Sequence, residues 1–284
     1  MKIGTVVSHL GIKVLIEDEH QQRVAVPVSR NSGHVVGDKV QFTHERMKRL
    51  PRRNFLARKT QKGSQALAAN LDTVGIVTSV IPKTPRAFLD RALIAIFSQN
   101  LKPFIIVNKM DLKDSEEFLN HIQNTFQNAC SVIPVSTRTQ QGLKELREFL
   151  SHQGRSILIG VSGVGKSSLT NTLLPNSNLA VGELLDKTSH GQHVTTVSNL
   201  FHLPNGGELI DTPGVRDFNP IDLDPLTLAH YFPDFQKILE KPCKFRDCLH
   251  THEPGCLIQE AVTRGQIKKD RFETYLEILQ TRAE

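Results

Sequence analysis

The run Gly160-Val161-Ser162-Gly163-Val164-Gly165-Lys166-Ser167 fits G-x-x-x-x-G-K-[ST], between the apolar stretch "SILI" and the helix-forming "SSLTNTLL". No other feature constrains the fold as much. Its glycines let backbone N–H groups turn around phosphate oxygens at a helix N-terminus, so a strand must precede the run and a helix must follow it. Lys166 is then placed to reach the β and γ phosphates of a nucleotide, Ser167 to ligate Mg²⁺, and Ser168 to continue the contact from the helix start.

A phosphate loop does not separate adenine from guanine. Asn108-Lys109-Met110-Asp111, at the end of the apolar run "KPFIIVN", makes the distinction. The Asp111 carboxylate can accept the N1–H and exocyclic amine of guanine as a bidentate pair, which adenine does not offer. By analogy with other G domains, Asn108 can address the opposite edge of the base while the Lys109 stem packs along the ring. Ser136, ending "SVIPVS", is placed to close over the base, or is an ordinary helix cap. The order is unusual, because the base-reading run comes before the phosphate loop.

Asp211-Thr212-Pro213-Gly214 ends the strand-like "ELI" and fits Asp-x-x-Gly, in which Asp holds Mg²⁺ through water and the Gly N–H meets the γ-phosphate. The next residue is Val215, whose aliphatic side chain cannot orient a water. The segment "KTSHGQHVTT" lies between the two motifs, where a nucleotide-sensing switch belongs. Thr195 or Thr196 can reach Mg²⁺, and His193 either orients the attacking water or is a solvated loop histidine.

Around these motifs, from Leu71 onward, apolar strand runs alternate with amphipathic helices, predicting a mostly parallel sheet covered by helices. Before them, "KIGTVVS", "GIKVLIE", "QRVAVPV" and "DKVQFTH" predict short strands of a small barrel. The segment "ERMKRLPRRNFLARKTQKGSQ" shows no apolar periodicity and reads as a mobile basic loop or linker. Residues 1–68 hold 13 Lys and Arg against 5 Asp and Glu, within a net charge of +6 for the 284-residue chain. Such an excess suits an anionic polymer, or serves only solubility.

After Pro220 the pattern is helical and contains Cys243-x₄-Cys248-x-His250-x₅-Cys256, a tetrahedral donor set for one zinc ion, with His252 a competing ligand. Cys130 stands apart as a core residue. No apolar run approaches a membrane span, and early acidic residues argue against a signal peptide, so a soluble, cytoplasmic chain is expected. The expected division is 1–68 for the barrel with its basic loop, 69–219 for the nucleotide domain, and 220–284 for a helical zinc domain.

In this order the motifs resemble the circularly permuted P-loop GTPases, and most closely the family of ribosome small subunit-dependent GTPase A (RsgA). "NKMD" before "GVSGVGKSS", then "GQHVTT", "DTPG" and "CKFRDCLHTHEPGC" carry the resemblance across essentially the whole chain. It implies an OB-type barrel, a permuted GTPase domain and a zinc domain. It further implies a monomeric cytoplasmic GTPase, stimulated by the small (30S) ribosomal subunit, that contacts 16S rRNA through the barrel and the zinc domain late in subunit maturation. The family's catalytic switch histidine falls on His193 and its zinc ligands on Cys243, Cys248, His250 and Cys256. The family's His-Thr-Thr-Thr run reads His193-Val194-Thr195-Thr196 here, so either Thr195 or Thr196 takes the magnesium. Three rivals remain open: an RNA-binding module with structural nucleotide, an ATP-dependent P-loop enzyme, and a permuted GTPase of another ribosomal particle.

Overall fold

Val6, Val14, Ile16, Val26, Val40 and Phe42 are buried together, and with the partly buried Met47 they form a small core shared by five strands. These are β1 (Lys2–His9), β2 (Lys13–Asp18), β3 (Arg23–Pro27), β4 (Lys39–Phe42) and β5 (Met47–Arg49). β1 pairs antiparallel with β2 and β4, β2 with β3, and β4 with β5. The computed structural model describes residues 2–29, 32–60, 63–85, 87–174, 198–212 and 223–281.

The basic segment expected as a loop is strand instead. After β5 it forms an antiparallel hairpin, β6 (Phe55–Thr60) with β7 (Gly63–Ala69). Its few apolar residues lack periodicity because they pack on a distant element: Leu56, Ala57 and Ala68 are fully buried. The Ala57 N–H donates to Gln99 Oε1 at 3.0 Å, just past helix α1 (Phe88–Ser98). Lys48, Arg49, Arg53 and Lys59 remain exposed.

β8 (Thr73–Ser79) is buried along its whole length, as the centre of a parallel sheet covered on both faces must be. The alternation continues through β9 (Lys102–Asn108), α2 (Ser115–Phe126), β10 (Ser131–Pro134), α3 (Leu143–Ser151), β11 (Arg155–Ile159) and α4 (Lys166–Leu173). It ends with β12 (Asn199–His202) and β13 (Glu208–Asp211). β10, β9, β8, β11 and β13 lie side by side in that order, all parallel. The strand order reverses between β8 and β11, which opens a crevice at their C-terminal ends. β12 runs antiparallel to β13 and also meets β1 through Ser8 and Asn199, so eleven described strands join in one mixed sheet.

The C-terminal region holds 3-10 turns at Pro225–Tyr231 and Ile238–Glu240, and helices α5 (Pro233–Gln236), α6 (Leu257–Thr263) and α7 (Lys269–Gln280). Its core of Phe232, Phe235, Ile258, Tyr275 and Ile278 also takes in Ala87 and Ile94 from around α1. A buried ion network reinforces that seam. Arg271 donates to Asp90 Oδ2 at 2.7 Å and to both Asp234 oxygens at 3.1 and 3.2 Å. The same guanidinium lies 5.3 Å from the ring centres of both Phe126 and Phe232. Burial raises the Asp90 carboxyl, and Arg271 opposes that rise. Among the described residues, no helix is long and apolar enough to cross a membrane.

Candidate nucleotide site and metal centre

Five parallel strands end at the crevice, and four of them deliver a motif residue there. β11 leads into the phosphate loop, where Gly160 and Gly165 have φ of +154° and +97°. A Cβ on Gly160 would lie 2.4 Å from the Val77 carbonyl oxygen, and one on Gly165 would lie 2.3 Å from Asn108 Nδ2. Only glycine fits between the loop and Asn108. Asn108 closes the same contact by donating from Nδ2 to the Val164 carbonyl at 2.9 Å. Lys109, in a left-handed conformation, donates to the carbonyls of Gly163 and Ile81, both at 2.7 Å. The two motifs, so far apart in the chain, are thus bolted together.

Met110 is buried, and its N–H donates to the Val135 carbonyl at 3.1 Å, which fixes the turn against the strand end after β10. Ser136 Oγ donates to Asp111 Oδ1 at 2.6 Å and accepts from the Thr139 N–H at 3.2 Å. That hydrogen bond holds the Asp111 carboxyl below its usual range, with Arg138 and Lys109 adding to the effect. Asp111 is therefore an ionised acceptor pair at the rim. Arg138, 3.8 Å from Asp111 Oδ2, was not among the expected site residues. Its only sequence signal is its position two residues beyond Ser136.

Lys166 is buried at the start of α4 and donates to the Gly160 and Val161 carbonyls at 2.9 and 3.2 Å. Burial lowers its ammonium and Asp211 raises it. Asp211 is buried as well, which raises its carboxyl to about 6 against the pull of Lys166, the Thr212 N–H and the Ser167 hydroxyl. Val164 is buried within the loop, while Ser162, Ser167 and Ser168 are exposed at its surface. Asn108 Oδ1 and Asp211 Oδ1 are buried with no hydrogen-bond partner in the protein. Orphaned buried acceptors call for an external donor or a cation, and Asp211 beside Ser167 fits a magnesium-bearing phosphate group. His193, Thr195, Thr196, Gly214 and Val215 lie outside the described residues.

The second site is in the helical region. The donor atoms of Cys243, Cys248, His250 and Cys256 all lie within 4.8 Å of one another, as four ligands around one metal ion must. His250 Nδ1 is 3.3 to 3.6 Å from each of the three sulfurs. Burial pushes the Cys248 thiol up to about 12, so a cation at this place is what would make it a thiolate. The adjoining turn is fixed by Glu253. Burial alone would raise this carboxyl, but hydrogen bonds from the N–H groups of Leu249, Thr251 and His252 hold it at about 2. His252 is exposed and bonded to Thr251 Oγ1, away from the cluster. Cys130 packs against the main core, and burial raises its thiol to about 12.

A family model described as RsgA GTPase matches residues 49–220. Among solved structures, YjeQ from Thermotoga maritima matches with a TM-score of 0.73 and 29% identity, covering 99% of this chain and 98% of that one. YloQ, described as a circularly permuted GTPase, matches with a TM-score of 0.69 and 26% identity over 99% of this chain and 94% of that one.

Proposed function

The chain belongs to the RsgA GTPase family, and on that premise we propose that it hydrolyses GTP on the small ribosomal subunit, binding 16S rRNA late in that particle's maturation. GTPase activity itself comes with the family. The observation that carries the reading is the joining of Asn108 to Val164 and Gly165, because it sets the Asn-Lys-Met-Asp run against the glycine-rich loop in one crevice, as guanine nucleotide binding needs.

In this reading Asp111 accepts the two guanine donors and Ser136 keeps that carboxylate ionised and aimed. The N–H groups of the phosphate loop, from Gly160 to Ser168, surround the phosphates, and Lys166 exchanges its carbonyl partners for β and γ oxygens. Ser167, Asp211 and a switch threonine, Thr195 or Thr196, would hold Mg²⁺, which would supply positive charge against the phosphate oxygens. Gly214 meets the γ-phosphate. With Val215 unable to orient water, His193 takes that role once the subunit is bound. The cluster of Cys243, Cys248, His250 and Cys256 takes one zinc ion, whose binding contributes folding energy to a region of short helices.

The exposed Lys48, Arg49, Arg53 and Lys59 supply the electrostatic contact with RNA. A monomer in the cytoplasm suits that partner. The test is turnover of GTP and of ATP, each with and without purified small subunits. We expect turnover of GTP only, accelerated by the subunits. No acceleration would exclude the ribosomal partner, and equal use of ATP would exclude the guanine site.

A further inference from the structure

Between the first two metal-ligating cysteines the chain reads Cys243-Lys244-Phe245-Arg246-Asp247-Cys248. Phe245 is 41% exposed, although a core that fully buries Phe232, Phe235 and Tyr275 lies in the same unit. Its exposure is therefore not for want of a core to enter. Lys244 Nζ lies over the ring, 5.5 Å from its centre, so a base would stack on the opposite side. The Lys244 stem lies over Gly255, where an added Cβ would come within 3.3 Å of it. Lys237, Lys241 and Arg246 are also exposed, against Glu240 and Asp247 in the same stretch.

A flat ring flanked by cations on a loop pinned at both ends suits one chemistry best. Aromatic faces stack unpaired bases, and neighbouring Lys and Arg take the phosphates on either side. An acidic peptide would use the cations without needing the ring. A lipid surface would call for several exposed apolar groups where this loop has one.

We propose that Phe245 is a stacking platform for an unpaired RNA base, with Lys244 and Arg246 on the adjoining phosphates. This rests on the reading that the protein binds small-subunit RNA. Pinning by Cys243 and Cys248 sets the ring in place before the base arrives, which lowers the ordering cost of binding.

The chain contains no tryptophan, so Phe245→Trp places a single indole at the platform. Its emission should be quenched by small subunits and by a short single-stranded oligoribonucleotide, but not by heparin, which has charge without bases. Phe245→Leu keeps the apolar bulk and loses the π face. It should weaken RNA and subunit binding about fivefold to hundredfold, the range for one stacked base, while metal content and subunit-free GTP turnover stay as in the wild type. Unchanged binding by Phe245→Leu, or emission that does not respond to RNA, would overturn the platform while leaving the ribosomal reading intact. Quenching by subunits but by no RNA would assign the ring to a protein partner and overturn the proposal. Failure of the wild type to bind subunits would remove the underlying reading, and this proposal with it.

Discussion

Gly165 and Asn108 touch so closely that a single Cβ on the glycine would stand 2.3 Å from the amide nitrogen of the asparagine. One residue belongs to the glycine-rich loop and the other opens the Asn-Lys-Met-Asp turn, and neither can shift alone. Gly165→Ala is expected to push Asn108 off the Val164 carbonyl and strain a backbone at φ +97°. Losing that buried hydrogen bond and adding the strain should cost roughly 2–4 kcal/mol. Nucleotide titration should show GDP affinity down at least tenfold; affinity within twofold of the wild type would show that the two motifs are not locked together.

Asp111→Asn exchanges an ionised acceptor pair for one acceptor and one donor. Hydrogen bonds to a charged group contribute about 1.5–3 kcal/mol each, so GTP affinity should fall by roughly a hundredfold or more. Xanthosine triphosphate carries a carbonyl where guanine has its amine, so its affinity should rise. Equilibrium titration with both nucleotides checks this, and an unchanged preference for guanine would place base recognition elsewhere.

The Asp211 carboxyl sits at about 6 in the folded chain against an ordinary 3.8, mainly through burial. The folded state therefore keeps a proton over a window in which the unfolded chain has released it. Stability from this group is complete below about pH 4 and is lost as pH rises through 6, a change of about 3 kcal/mol. Asp211→Asn should abolish that slope. Urea unfolding of nucleotide-free wild type and variant at pH 4.5 and 7 isolates the effect; an equal difference at both pH values is the contrary result.

Arg271→Leu leaves Asp90 and Asp234 without their shared cation, and Asp90 is buried. Removing one partner of a buried ion pair costs about 3–5 kcal/mol. Adding Asp90→Leu should recover a good part of that loss, giving a coupling of more than about 1 kcal/mol in a double-mutant cycle. Additive losses would mean that the pair contributes nothing as a pair.

The placing of Asn108, Asp111, Lys166 and Asp211 at neighbouring strand ends was legible because each motif is local. A strand end followed by Asn-Lys-Met-Asp, or by a glycine-rich turn, declares both its backbone and its chemistry within eight residues, and a parallel sheet gathers such ends on one side. What was not legible depends on distance along the chain. The β6–β7 hairpin hides in a basic segment because Leu56 and Ala57 find their partners around Gln99. Arg271 in an amphipathic tail looks solvated until Asp90, 181 residues away, is placed beside it. Ser8 and Asn199 join β1 to β12, and nothing local to either residue announces that bond.

The central place of β8 has a consequence during synthesis. Emerging from the ribosome, the chain completes β8, β9 and β10 with their helices by Ser151, before any of the phosphate loop exists. β8 is then paired with β9 on one side only, and its other edge is a row of free N–H and C=O groups until β11 arrives to cover it. An unpermuted order would lay down the phosphate-loop strand first. In this chain the half that carries Asn108 to Asp111 is made first and waits, with its wholly buried strand open along one edge, for the half that carries the glycine-rich loop.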